Sequence, residues 1–447
     1  LSSSSSSTST TPTNHDDDDD DSLRSLQRQL IQIKRRLWPA AEACAQVFGT
    51  TPAQEFWNAR VLANPMEPLG EHGGKRRRRG LNTMFLNRSA MKLANLDALL
   101  DFTLTMGSQN NNNNNKEFLF ADLCGAPGGF SEYIMKRCSS LNKRYSACRG
   151  YGMSLVGNNE HGKGTDWQLH DFDRNEEEEG TVYETSYLVS RGNDGTGDLY
   201  QWENVLYFQQ EIQRDLDARR RPHQQQQIGS STNNNDCYNE NYKMDLILAD
   251  GGFDAQRDSE CQEELAQKLV LCELAAGMQL LRVGGTLVIK LFGCQTQSVR
   301  MAMRSLWECF DRLQVFKPIT SRPASSERYA VFTGFHGRPS NWTGGPSWIS
   351  SVLVGKCLQW ELSHNYAKLD NYLDRIDHDM LVLNLKACFA ILSNLERKCA
   401  SVTFICTSML GSYSNYNAPW HKGEERSTIV LQTIQMSTFI CTSMLGS

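Results

Sequence analysis

An apolar run, Phe118–Cys124, passes directly into a glycine-rich turn and then into a helical stretch at about 130–138. Glycines at 125, 128 and 129, set between a strand and a helix, let a ligand approach the backbone, and the amides that open the helix favour an anionic group. The segment therefore describes a nucleotide-type pocket. Because the GxGxxG spacing is missing, a dinucleotide is disfavoured. A tight turn with no ligand remains open from this segment alone.

Around it the pattern alternates. Arg149–Leu155 and Met244–Ala249 read as strands, residues 260–281 as an amphipathic helix and Gly285–Leu291 as the next strand. A helix near 296–310 and a strand at Tyr329–Gly334 complete the series. Strands alternating with helices predict an α/β fold, a doubly wound and mostly parallel sheet.

The flanking regions follow from composition. Residues 1–22 are serine, threonine and aspartate, cannot bury apolar surface, and are expected to be a disordered tail. The chain opens on Leu1 and not methionine, so a fragment of a longer protein is expected. Apolar residues at 23, 26, 30, 33 and 37 predict an amphipathic helix that ends before Pro39, and a second helical stretch spans about 40–62. Residues 23–80 thus form a helical N-terminal extension that ends in the basic run Lys75–Arg79. That run suits a solvated cluster, a nuclear-localisation signal or a phosphate contact. The arginines of the first helix allow RNA contact, but packing is the favoured role. The main domain is expected at 81–338, with a small helix-rich appendage at 339–398. In the uncertain remainder, 399–447, the decapeptide Thr403–Ser412 returns unchanged as Thr438–Ser447. A perfect duplication without flanking similarity does not look like a structural repeat. The Asn110–Asn115, Gln224–Gln227 and Asn233–Asn235 tracts read as inserts in surface loops.

Composition excludes several classes. With 447 residues and 39% hydrophobic content the chain can bury a sizeable core. Its net charge of -5 owes much to the acidic tracts at 16–21 and 176–179, so basic residues can still share one face. Fourteen cysteines without a CxxC pair and nine histidines without HExxH suggest no metal site and no disulfide framework, but reduced thiols in an intracellular protein. No eighteen-residue apolar run suggests a membrane span.

The chemistry is carried by four charged residues. Lys92 lies in Asn87-Arg-Ser-Ala-Met-Lys92, Asp250 opens a Gly-Gly turn, Lys290 interrupts the apolar run Val288–Leu291, and Glu327 closes Pro323-Ala-Ser-Ser-Glu327. Asp250 and Lys290 fall at the carboxyl edge of a parallel sheet, where α/β ligands bind. Singly, each is more often a surface charge; together, ordered around a glycine-rich pocket, they point to catalysis.

These segments resemble the FtsJ-like family of RNA 2'-O-methyltransferases, whose signature is a Lys-Asp-Lys-Glu tetrad with a glycine-rich cofactor loop on a Rossmann-like sheet. Within it, the eukaryotic cap 1 group is similar at Ala63–Glu67, Phe85–Lys92, Gly150–Leu155 and, above all, Phe316–Tyr329. The resemblance covers roughly residues 44–338. It implies methyl transfer from S-adenosylmethionine to the ribose 2'-hydroxyl of the first transcribed nucleotide of 7-methylguanosine-capped mRNA. It also implies a nuclear protein, with the cytoplasm as the alternative, and the RNA polymerase II machinery as a partner. The cofactor would be contacted by Asn87, by the loop Cys124, Gly125, Ala126, Pro127, Gly128, Gly129 and Phe130, and by Asp198 and Leu199. Arg60, Glu260, Cys261, Gln262 and Glu327 would lie along the RNA. The loop reads Gly-Ala-Pro-Gly-Gly where cap 1 relatives tend to have Ala-Gly-Pro-Gly-Gly.

On this reading Lys290 faces the 2'-hydroxyl, and burial beside Lys92 is expected to lower its pKa so that it acts as a base or steers the oxygen lone pair. Asp250 and Glu327 would orient the lysines and hold the ribose, with no metal required. Two alternatives stay open: the same chemistry on ribosomal or transfer RNA, and a catalytically silent RNA-binding subunit.

Overall fold

A computed structural model describes residues 16–70, 85–106, 117–139, 145, 147–159, 162–163, 165–169, 174–178, 181–219, 242–252, 262–339, 342, 344–354 and 366–408. They fall into two compact units, divided between Ala63 and Asn64 and again between Asp377 and His378.

The first unit is helical. Its elements are α1 (Asp16–Phe48), α2 (Pro52–Ala63) and the later turns of a long helix, Ala367–Ser408. Leu30, Leu37, Ala41 and Cys44 recur at helical spacing on α1 and are buried, as are Ile391, Leu392 and Leu395 on the long helix. The Cys44 thiol donates to the Leu395 carbonyl at 3.1 Å, and Asn394 Nδ2 donates to the Ala59 carbonyl at 3.2 Å. Lys398 pairs with the buried carboxylate of Glu55. Two expectations fail here. Helix α1 begins at Asp16, so the last residues of the expected 1–22 tail are helical. It also runs through Pro39 to Phe48. A proline costs a helix about 3 kcal/mol, and the buried residues on either side of it, Leu37, Ala41 and Cys44, offset that cost.

The second unit carries the sheet. It opens with α3 (Arg88–Leu99) and the single turn α4 (Thr103–Met106). The strands are β1 (Glu117–Leu123), β2 (Ala147–Met153), the hairpin β3 (Asn158–Asn159) and β4 (Gly162–Lys163), β5 (Arg174–Glu178) and β6 (Thr181–Ser190). They continue with β7 (Met244–Ala249), β8 (Leu281–Leu291), β9 (Phe310–Phe316) and β10 (Arg328–Phe335). Helices α5 (Gly129–Ser139), α6 (Trp202–Arg219), α7 (Gln262–Leu280), α8 (Gln297–Trp307) and α9 (Gly345–Leu353) lie between and after them. The eight-stranded sheet has the order β5-β6-β2-β1-β7-β8-β10-β9. The five strands β6, β2, β1, β7 and β8 are parallel, with β5, β10 and β9 added antiparallel at the two sides.

Side chains alternate across β1. Ala121 and Leu123 enter one core with α6, α7 and α8, whereas Phe118 and Phe120 enter another with α3 and α5. Helices on both faces explain why the central strands read as unbroken apolar runs. The chain order reverses between β1 and β7, which leaves a crevice at the carboxyl ends of those strands. The expected Rossmann-like, doubly wound sheet is therefore present.

Several elements escaped the sequence. Helix α6 buries Val205, Phe208, Ile212 and Leu216 at regular helical spacing, but strongly polar intervening residues mask it. The edge strand β9 buries only Phe310 and Leu313 and reads weakly for that reason. Region 339–398 is divided between the two units. Trp348 and Val352 of α9, with Leu369 and Leu373 of the long helix, belong to the sheet's core. The basic run 75–79, the asparagine and glutamine tracts and the second copy of the duplicated decapeptide lie outside the described residues.

Candidate active site

The register of the sheet assembles two of the four charged residues. Ala249 of β7 stands beside Ile289 of β8, so the next position sets Asp250 beside Lys290. Lys290 Nζ lies 3.0 Å from Asp250 Oδ1 and donates to the Asp250 backbone carbonyl at 2.7 Å. A Cβ on Gly252 would stand 2.9 Å from Lys290 Nζ, so glycine there makes room for the ammonium. Lys290 shares a face with Val288, the face covered by α3, and α3 supplies Lys92. Antiparallel β10 pairs Tyr329 with Lys290, which brings Glu327, just ahead of the strand, to the same edge. Lys92 Nζ meets Glu327 Oε2 at 2.8 Å. Lys92, Asp250, Lys290 and Glu327, distant in sequence, thus form two adjoining ion pairs at the sheet's carboxyl edge.

Four further residues hold the carboxylates. Tyr329 donates its hydroxyl to Asp250 Oδ1 at 2.8 Å, and Ser89 donates to Oδ2 at 3.0 Å. Ser321 donates to Glu327 Oε1 at 2.7 Å. Lys317 Nζ donates to the backbone carbonyls of Ser325 at 2.7 Å and Glu327 at 2.6 Å, and so fixes the loop that presents Glu327. Sequence reasoning singled out none of them. The signal was there, since Ser89 and the other three lie inside the two blocks, 85–92 and 316–329, that carry the resemblance. Those blocks also reach the third: Arg322 Nε donates to Glu67 Oε1 at 2.9 Å, and the guanidinium of Arg88 donates to the Met66 and Glu67 carbonyls.

Electrostatics distinguish the groups. Burial raises the Glu327 carboxyl, but the ammonium groups of Lys92, Lys290 and Lys317 outweigh it and bring it down to about 2. Burial alone would lower Lys290. Asp250 and Glu327 overcome it and raise its pKa above that of an ordinary lysine, so the expected lowering is reversed. The expectation assumed that Lys92 would act on Lys290 as a bare cation, whereas Lys92 is neutralised by Glu327. The lysine that burial does lower, to about 7, is Lys317.

Beside this centre lies the glycine loop. Cys124 takes φ 56° and donates its amide to the Met153 carbonyl at 2.8 Å, the Ala126–Pro127 peptide is cis, and Gly128 takes φ 107°. A Cβ on Gly125 would fall 2.1 Å from the Asp122 carboxylate, and one on Gly129 would fall 2.1 Å from Asn87 Oδ1. Asn87 is therefore set against the loop while it caps α3 through the Ser89 and Ala90 amides. Phe130 is buried under the loop. Asp198 is buried after β6, where Gly197 packs on the Ser154 carbonyl beyond β2, and its Oδ1 accepts from the Tyr200 amide at 2.9 Å. Leu199 is a core side chain. Sequence reasoning also missed the segment 165–169, whose Gln168 amide donates to the Pro127 carbonyl at 2.9 Å and whose Trp167 ring stands against Gly152.

The expected RNA-facing residues are less grouped. Arg60 belongs to the helical unit, with its guanidinium 5.1 Å from the Phe56 ring centre. Gln262 opens α7, and Glu260 and Cys261 lie outside the described residues.

The loop leaves the carboxyl end of β1 and enters the amino end of α5, where a nucleoside can approach the backbone. Beneath it Asp122 is wholly buried, with Oδ1 lacking a hydrogen-bond partner and Oδ2 accepting the Ser131 hydroxyl at 2.6 Å; burial pushes its carboxyl up to about 7, and it braces the loop from inside. Gly125→Ala should destabilise the protein by about 1–3 kcal/mol, read by urea unfolding, because the new methyl group collides with the buried Asp122 carboxyl group. Unchanged stability would show that the loop yields to a side chain there.

Fold and site together define a Rossmann-like α/β protein with a paired lysine–carboxylate centre at its switch point. Residues 85–335 match the FtsJ-like methyltransferase family, and the chain belongs to that family. It is 34% identical over 297 residues to cap-specific mRNA (nucleoside-2'-O-)-methyltransferase 1 of Homo sapiens, a match covering 65% of this chain and 30% of that protein. The Xenopus laevis protein of the same name is 33% identical over 297 residues, 65% of this chain and 29% of that one. An inactive cap-specific mRNA (nucleoside-2'-O-)-methyltransferase 1B of Caenorhabditis briggsae is 29% identical over 306 residues, 64% of this chain and 30% of its own length. The chain thus spans about 30% of the length of the curated relatives it matches.

Proposed function

We propose that this protein transfers the methyl group of S-adenosylmethionine to the ribose 2'-hydroxyl of the first transcribed nucleotide of 7-methylguanosine-capped mRNA. The observation that carries the reading is the convergence of Lys92, Asp250, Lys290 and Glu327 beside the glycine loop. The cap, as substrate, is supported by the names of the relatives and by the blocks 63–67 and 316–329, joined through Glu67 and Arg322. Nuclear residence and recruitment by the RNA polymerase II machinery belong to the same proposal.

S-adenosylmethionine would be held by the loop 124–130, Asn87 and Asp198, and it supplies a methyl group that is already electrophilic. What remains for the protein is alignment. Lys290, kept protonated by Asp250 and Glu327, donates to the ribose oxygen and leaves a lone pair directed at the methyl carbon. Its fixed positive charge stabilises the oxygen as the 2'-hydroxyl proton passes to solvent. Asp250, gripped by Tyr329 and Ser89, holds Lys290 in place, and Glu327 does the same for Lys92. This role is the steering one of the two expected for Lys290.

Incubation with labelled S-adenosylmethionine and RNAs bearing or lacking the 7-methylguanosine cap tests the proposal. Label should enter the first nucleotide of capped RNA only. Equal labelling of uncapped RNA would assign the chain to a ribosomal or transfer RNA substrate. The inactive relative makes a silent RNA-binding role the second reading, which the four intact residues oppose and which inactivity on every RNA would support.

A further inference from the structure

Behind the catalytic turn lies a carboxyl group that the chemistry above does not use. Glu273, in the middle of α7, has no exposed surface. Its Oε1 accepts the Gly251 amide at 2.9 Å. That amide and the Asp250 carbonyl are the two ends of one peptide group, and the carbonyl end accepts Lys290 Nζ at 2.7 Å. The Asp250–Gly251 peptide is therefore clamped from both ends, by a helix residue on its N–H and by the central lysine on its C=O. A Cβ on Gly251 would fall 2.2 Å from Glu273 Oε1, so the carboxyl packs directly on the backbone of the turn.

We propose that Glu273 is a positioning residue for Lys290, acting through the Asp250–Gly251 peptide: it fixes the plane and height of the carbonyl to which the ammonium is anchored. A peptide group is rigid, so a tilt at its N–H end moves its oxygen by a comparable amount. Misplacement of a reacting group by about 1 Å can cost on the order of 10²-fold in rate. The charge state suits this role. Burial, against the pull of Lys290, pushes the Glu273 carboxyl up to about 8, so at neutral pH it carries its proton and offers a carbonyl oxygen to Gly251. A glutamine offers the same oxygen in the same place.

The inference rests on the methyl-transfer reading, and two variants with two readouts keep the failures apart. In Glu273→Met the acceptor is gone and the volume is kept; kcat should fall about 10²-fold. The KM for RNA should stay within about threefold, as for a group acting on the reacting geometry, whereas S-adenosylmethionine affinity can shift with the Cys124 thiol, which also bonds the Glu273 carboxyl. Glu273→Gln should restore kcat to within about threefold of wild type. Independently of activity, hydrogen exchange at the Gly251 amide should be slow in the wild type and in Glu273→Gln and much faster in Glu273→Met. Inactive wild type with this exchange pattern would reject methyl transfer and keep the clamp. Slow exchange at Gly251 in Glu273→Met, or equal kcat in Glu273→Met and wild type, would overturn the inference, as would a Glu273→Gln protein as slow as Glu273→Met.

Discussion

Lys290→Met should reduce methyl transfer on the order of 10²–10³-fold while S-adenosylmethionine and RNA still bind. The lysine's hydrogen-bond and ion-pair partners are the Asp250 carbonyl and carboxylate, with the Phe292 ring centre 5.8 Å away. Its removal leaves Asp250 with the Tyr329 and Ser89 hydroxyls and the Gly251 amide on Glu273, so the turn stays anchored on both its side chain and its backbone. The loss should therefore appear in kcat. Single-turnover transfer with radiolabelled cofactor, beside filter binding of capped RNA, separates the two quantities. A variant with near-normal kcat would take Lys290 out of the chemistry and move attention to Lys92.

The largest effect on stability is expected at Arg328 and Asp377. Arg328 follows Glu327 directly, is buried, and pairs with the wholly buried Asp377 on the long helix; its Nη2 also reaches the Phe292 carbonyl at 3.3 Å. Asp377→Ala leaves the Arg328 guanidinium in the interior with its main counter-charge gone, whereas Arg300, 4.0 Å from the other carboxylate oxygen, keeps Asp374 at 2.6 Å and Asp370 at 3.6 Å. Breaking a buried pair in this way costs about 3–5 kcal/mol. Urea unfolding should show a loss of that size. The double replacement Arg328→Met with Asp377→Leu should recover most of it, because two apolar groups need no partners. A loss under about 1 kcal/mol in Asp377→Ala would show that water reaches the pair.

The sheet and its ligand edge were legible in the sequence for one reason. β1, β7 and β8 are covered on both faces, so they read as apolar runs, and any glycine or charge that interrupts them stands out. Lys290 and Asp250 are visible on those grounds. Lys92 and Glu327 are not, because a lysine on a helix of mixed polarity and a glutamate in a serine-rich loop look like ordinary surface charges; only the resemblance marks them. Ion-pair partners are invisible in the same way, since nothing in the order of residues shows that Glu327 neutralises Lys92. The pKa of Lys290 was expected to move in the wrong direction for that reason. Glu273 escaped for the opposite reason, as a single acid in the apolar later turns of α7 that accepts a backbone amide. Pro39 shows the reverse error: a strong local signal, helix termination, yielded to burial on both sides.

The polarity of the parallel strands has one more consequence. The asparagine tract 110–115 leads into the amino end of β1, and the glutamine and asparagine tracts at 224–235 lead into the amino end of β7. The residues proposed to react stand at the opposite ends of those strands. Homopolymer tracts are the segments of a gene most prone to gain or lose repeats by replication slippage. The amino ends of β1 and β7, where those segments join the described sheet, stand some six residues of extended strand, or about 20 Å, from the reacting groups. A change in the length of either tract therefore enters the sheet at the end away from its chemistry.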